Sequence, residues 1–148
     1  MMHLLIPPVL WLILLVAMAV LGETAPVATV FGTPARLLGW AIIVAGLALQ
    51  AVAAGQFVKA RTNLHAFRDP DKLITTGVFA MSRNPMYLGF VLTLVGAALL
   101  LNTVFTLIGP LVFFAVANFW YIPREERIAD DLFGEPYRAY RARVRRWL

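Results

Sequence analysis

The chain has 148 residues, 61% of them hydrophobic and 14% charged, with a mean hydropathy of +0.78. Soluble domains run nearer about half apolar and about a quarter charged, so this composition belongs to an integral membrane protein with room for one compact helical domain. The net charge of +5 sits beside apolar spans, which suits membrane orientation and anionic headgroups better than nucleic acid, and the absence of cysteine excludes disulfides and thiolate chemistry.

Leu4 to Leu21 is apolar throughout and about long enough to cross the hydrocarbon core, with Pro7 and Pro8 tolerated in its first turn. No Lys or Arg precedes it, which argues for a span over a cleaved signal peptide. Gly22 to Pro34 is a short linker. Leu37 to Val58 forms the second span, where Gly39, Gly46 and Gly55 allow close approach of a neighbouring helix. Gln50 and Gln56 interrupt it, facing either a polar cavity or an interhelical hydrogen bond.

Lys59 to Arg83 is a basic loop with a turn at Asp69-Pro70-Asp71. Pro85 to Ile122 is apolar for more than one bilayer thickness and reads as a helical hairpin turning at Asn102-Thr103, with a kink expected at Pro110 and Asn118 in the bundle interior. Beyond Ile122 come Pro123-Arg124-Glu125-Glu126-Arg127 and two short helices broken near Phe133-Gly134. Tyr137, Tyr140, Val144 and Trp147 share one helical face, with arginines on much of the rest, as in a helix lying on a membrane surface. The fold class expected is all-α, four transmembrane helices plus C-terminal interfacial helices, in a single domain over 1–148. Within it, 1–58 holds two N-terminal spans and 59–148 the catalytic core.

Five Lys or Arg lie in the Lys59–Arg83 loop and seven in the tail from Arg124, against Arg36 alone in the other loop. The positive-inside rule makes the loop and tail cytoplasmic, and four spans place the N-terminus there too. A bacterial inner membrane is the expected location.

The stretch Gly77 to Gly89 joins the basic loop to the hairpin. Pro85 suits the first turn of a helix, and Asn84, pushed out of the helical region by the proline, suits the cap. The helix start offers free N–H groups and a positive dipole end to an anionic group, beside Arg83 and Tyr87. On the tail, Glu125 and Glu126 are adjacent and cannot share a helix face, so at most one enters a site while the other meets Arg124 or Arg127, and by residue type alone a solvated pair at the membrane surface is the default. His3 and His65 have no metal-ligand spacing, and no metal is expected. There is neither a Ser-His-Asp pattern nor a phosphate-binding glycine loop.

Two ordered motifs carry more. Thr75-Thr76-Gly77-Val78-Phe79, Ser82-Arg83-Asn84-Pro85-Met86-Tyr87-Leu88-Gly89, then Arg124-Glu125-Glu126, Phe133-Gly134-Glu135-Pro136-Tyr137 and Tyr140-Arg141-Ala142-Arg143-Val144 resemble the isoprenylcysteine carboxyl methyltransferase family, to which membrane phospholipid N-methyltransferases are related. The resemblance runs from about Asn63 to the C-terminus.

The resemblance implies a helical membrane enzyme that binds S-adenosylmethionine at the cytoplasmic end of its bundle and takes a lipophilic acceptor from the bilayer. It implies cofactor contacts at Asn84, Pro85, Tyr87, Leu88, Gly89, Glu125 and Glu126, a catalytic role for Arg83 and Arg143, and an acceptor lined by Tyr137 and Tyr140. Asn84 stands where the family has histidine; an amide hydrogen-bonds but cannot carry a proton at neutral pH. Two alternatives are an NADPH-dependent membrane reductase related to sterol reductases and a non-catalytic membrane scaffold. Four spans and no cysteine argue against the reductase.

Overall fold

The structure, a computed structural model, describes residues 6–24, 32–60 and 72–148, and among them every regular element is helical. Helix α1 spans Pro7–Thr24 and α2 spans Thr33–Ala60; a 3₁₀ turn at Gly77–Ala80 precedes α3, Pro85–Leu101. A second 3₁₀ turn, Val104–Leu107, leads into α4, Ile108–Val116. A π-helical turn at Ala117–Tyr121 joins α4 to α5, Ile122–Phe133, and α6 spans Glu135–Arg143. His3, Arg61, His65, Arg68 and the Asp69-Pro70-Asp71 turn lie outside the described residues.

Helices α2 and α3 pack along their length because glycines face each other. A Cβ on Gly96 would fall 2.6 Å from the Gly39 carbonyl oxygen, and one on Gly46 would fall 2.8 Å from that of Gly89. The two backbones meet at distances that no larger residue permits. On the other side of α3, Tyr87, Phe90, Leu94, Ala97 and Ala98 form the core with Leu10 and Met18 of α1 and with Phe113, Ala117, Tyr121 and Ile122. The Trp11 indole N–H donates to Thr93 Oγ1 at 2.8 Å, which fixes α1 against α3 and pairs the indole's one polar group inside the apolar layer.

The hairpin turn falls at the expected residues. Asn102 takes the left-handed conformation (φ 57°, ψ 35°), its N–H closes on the Ala98 carbonyl, and Thr103 is extended. Asparagine tolerates that conformation better than most residues, so the turn needs no glycine.

Pro110, in the second arm, lies in the first turn of α4 directly after the 3₁₀ turn Val104–Leu107. Two expectations are corrected. That arm does not end at Ile122: the chain from Val104 to Phe133 is one helical run through Pro123. A proline in a helix interior deprives a carbonyl one turn earlier of its partner, and here the wider π turn directly precedes it. Finally, α6 stops at Arg143 and Val144 is extended (φ −116°, ψ 131°), so Trp147 does not continue the face of Tyr137 and Tyr140. Tertiary hydrogen bonds take over the backbone there.

Pro34–Ala60 and Val104–Phe133 are long and apolar enough to cross a membrane; Pro7–Glu23 and Pro85–Leu101 are shorter apolar helices. Leu37, Trp40, Val44 and Val58 on α2 and Phe119 and Trp120 on the π turn are exposed, as in a protein solvated by lipid.

Candidate functional site

The start of α3 is built by two strands of contact with the C-terminal segment. The Arg83 N–H donates to the Arg145 carbonyl at 3.0 Å. The Asn84 amide Nδ2 donates to the Arg146 carbonyl at 3.0 Å, and the Ser82 hydroxyl reaches the same oxygen at 3.3 Å. Asn84 thus holds the cap position with no side-chain cap bond; its own N–H is taken by Ser82 Oγ at 3.1 Å. Asn84 is the cap by position, as expected, but its amide ties the C-terminal segment to the helix mouth in place of closing on the helix N–H groups. Pro85 is fully buried behind it.

Inside this frame lies a buried ion group. Glu126, on α5, accepts from Arg146 through both oxygens, at 2.6 Å from Nη2 and 3.2 Å from Nε. Arg83 Nη1 lies 3.1 Å from Glu126 Oε1, and the side chains of Arg83 and Glu126 are each only 10% exposed. Burying charges is costly unless they are paired, and removing one partner of such a group costs about 3–5 kcal/mol. Arg146 Nη1 also reaches Asn118 Oδ1 at 3.3 Å, and the Trp147 indole donates to that oxygen at 3.1 Å while its ring stacks on Phe114. Asn118 is therefore the polar group of the π turn that anchors the C-terminus.

Glu125 turns elsewhere. Its Oε1 accepts from the Tyr87 hydroxyl at 2.7 Å, and Tyr87 stacks on Tyr121 with ring centroids 6.1 Å apart. The glutamates part as adjacent helical residues must, but their partners are Tyr87 on one side and Arg83 with Arg146 on the other. Arg127 Nε donates to the Pro123 carbonyl at 3.3 Å, while α5, continuous with the hairpin, directs both carboxylates at α3 and the C-terminal segment.

Tyr137 and Tyr140 are buried on α6 beneath Arg83. The Tyr140 hydroxyl donates to the Phe79 carbonyl at 2.7 Å, and burial pushes its pKa up to about 12 against the opposing pull of Arg83. Tyr137 is raised too, by burial and then by the Glu126 carboxylate, with Arg83 and Arg141 opposing. Both hydroxyls stay protonated at physiological pH and serve as hydrogen-bonding groups.

The structure brings Arg83, Asn84, Pro85, Tyr87, Glu125, Glu126, Tyr137 and Tyr140 to one end of the bundle. It leaves Arg143 outside the ion group, exposed on α6 with Nε on the Ala139 carbonyl. Leu88 is half-buried, and Gly89 faces α2, where a Cβ would fall 2.7 Å from the Gly46 carbonyl. Sequence reasoning missed Arg146, Ser82 and Trp147. Arg146 reads as one more arginine on a basic helical face, and only the extended turn at Val144 redirects it. Among the described residues no group of three or more His, Asp or Glu is arranged to hold a metal ion.

The family model for phospholipid methyltransferases matches residues 34–136. An uncharacterized protein of Haemophilus influenzae is 40% identical over 63 residues, which are 43% of this chain and 100% of that protein. No solved structure matches.

Proposed function

The chain belongs to the phospholipid methyltransferase family, and from that premise we propose that it moves a methyl group from S-adenosylmethionine to a lipid-like acceptor at one face of the membrane. The observation that carries this is the meeting of Arg83 and Glu126, at the start of α3 and on α5, with Tyr87 and Glu125 alongside. The donor set fits the cofactor. Arg83 Nε is a buried cationic donor with no acceptor, suited to a carboxylate, and Glu125 suits hydroxyl or ammonium groups.

The bound cofactor supplies a sulfonium methyl for in-line displacement. The protein's part is then positioning, which is worth several kcal/mol of barrier when two reactants are held in line. A carboxylate directly on the sulfonium stabilises the starting state more than the transition state, in which that charge is fading, and so slows transfer. Glu125 therefore holds ribose hydroxyls or the amino group, remote from sulfur, while Glu126, whose oxygens are taken by arginines, acts through them. Asn84, Pro85, Leu88 and Gly89 shape the mouth of the cofactor pocket. Arg83 and Arg143 orient an acceptor that bears a carboxylate or a phosphate, and Tyr137 and Tyr140 line its path. The acceptor enters laterally, its chain among lipid tails.

Four crossings place the basic loop and the tail together on the cytoplasmic side, with α1 and α3 crossing a thin or locally thinned bilayer. Calorimetric titration of detergent-purified protein with S-adenosylmethionine and with NADPH tests the reading: the first binds, the second does not. Glu125→Gln weakens the cofactor about tenfold, the worth of one hydrogen bond to a charged group. Unchanged affinity in both Glu125→Gln and Glu126→Gln would sink the assignment of the acidic pair. Incubating membranes with methyl-labelled cofactor puts label in the lipid extract; label in protein alone counts against a lipid acceptor.

A further inference from the structure

The two arginines of the buried ion group use their shared carboxylate differently. Arg146 meets Glu126 as a planar fork, Nη2 to Oε2 and Nε to Oε1, and turns Nη1 to the Asn118 carbonyl and side-chain oxygens at 3.4 and 3.3 Å. Its position is set from two sides: Ser82 and Asn84 hold its backbone carbonyl, and Trp147 beside it is anchored to Asn118. Arg83 has Nη1 near Glu126 Oε1 but out of line for a hydrogen bond, the Tyr137 hydroxyl as a hydrogen-bonding neighbour, and a buried Nε with no acceptor. Its side chain is only 10% exposed, so water does not readily supply what is missing. A fork-to-fork pair is the strongest arrangement open to a guanidinium and a carboxylate, and Arg146 holds it where Arg83 does not.

We propose that Arg146 is a positioning residue that saturates Glu126 and thereby keeps the Nε side of Arg83 open for a carboxylate or phosphate oxygen of a ligand. Without Arg146, Glu126 is free to turn its fork onto Arg83 and occupy the donors that a ligand needs. The inference rests on the methyltransferase reading for the identity of that ligand. It gives the C-terminal segment Arg145–Trp147 a part in the site that the arginine-rich pattern of the tail conceals.

The test uses full-length detergent-purified protein, wild type, Arg146→Gln and Arg146→Gln/Glu126→Gln. Three probes are titrated: S-adenosylhomocysteine, 5′-methylthioadenosine, which lacks the amino-acid end, and dihexanoylphosphatidylcholine below its micelle concentration. Arg146→Gln weakens the probe bearing the anion about tenfold or more and leaves methylthioadenosine unchanged. The double variant recovers, because no carboxylate remains to capture Arg83; a merely structural clamp gives no such recovery. Loss and recovery with S-adenosylhomocysteine identify the cofactor carboxylate as the anion, and with the phospholipid the headgroup phosphate. Wild-type affinity for both in Arg146→Gln, or a double variant as weak as the single, overturns the proposal. Should Arg146→Gln fail to fold, Arg146→Lys is read in the same way, since an ammonium lacks the planar two-pronged fork that fixes both oxygens and cannot also reach Asn118. A wild-type protein that binds neither nucleoside sinks the methyltransferase reading itself; binding without recovery sinks only the role of Arg146.

Discussion

Tyr87 and Tyr140 do comparable work at opposite edges of the ion group, and each is a test at the scale of one hydroxyl. Tyr87→Phe removes the hydroxyl that donates to Glu125 Oε1 at 2.7 Å and sets an aromatic edge against that oxygen. Thermal unfolding in detergent is expected to show a loss of about 1–3 kcal/mol, the cost of an unsatisfied buried group, accompanied by weaker cofactor binding. Tyr140→Phe loses the bond to Phe79, about 1 kcal/mol. Its effect also depends on pH. The folded protein holds the Tyr140 proton up to about 12 whereas a free tyrosine titrates near 10.0, so the unfolded chain gives up its proton first. The stability from that difference is intact below about pH 10 and is lost as pH rises through about 12. Unfolding midpoints measured across that window fall less steeply in Tyr140→Phe than in wild type.

At the scale of helices, the α2–α3 contact and the π turn set where the site residues lie. Gly96→Ala pushes a methyl onto the Gly39 carbonyl at 2.6 Å, and neither backbone can yield without parting the helices. A loss of about 1–3 kcal/mol is expected from such overpacking, read as a lower unfolding midpoint. Gly55→Ala is the control: a methyl there meets nothing within 4 Å, and the midpoint is expected to hold or rise slightly. Both helices, and Gly39 and Gly46 as points of close approach, were legible from sequence because glycines seven residues apart recur on one side. Gly55, expected to join them, meets no neighbour because it lies beyond the contact with α3. The π turn was not legible. It follows from Pro123 sitting inside a helix that the rest of the molecule keeps continuous, and it presents Asn118 to the C-terminal segment. Residue type alone placed Asn118 inside the bundle; its partners come from a segment 28 residues away.

For the whole molecule, the proposed four-crossing arrangement makes a prediction that the cysteine-free chain is well suited to check. Single cysteines replacing Lys72 and Leu148 are expected to react with an impermeant maleimide from the same side of the membrane, and those replacing Glu23 and Asn102 from the other. Reaction of Glu23→Cys and Lys72→Cys from one side would show that α2 does not cross, and the proposed cytoplasmic site would lose its basis.

The sequence by itself determined what depends on composition and near neighbours. Apolar runs made the chain helical and membrane-bound, Asn102 marked the hairpin, and the two motifs pointed to the ends of α3 and α5. Tertiary structure alone decided the pairings within the site. Charges on helices can pair across space in several ways of similar energy, and only the packed positions of α3, α5 and the C-terminal segment select one. So it is that Glu126 meets Arg83 and Arg146, that Glu125 meets Tyr87, and that Arg143 stays on the surface.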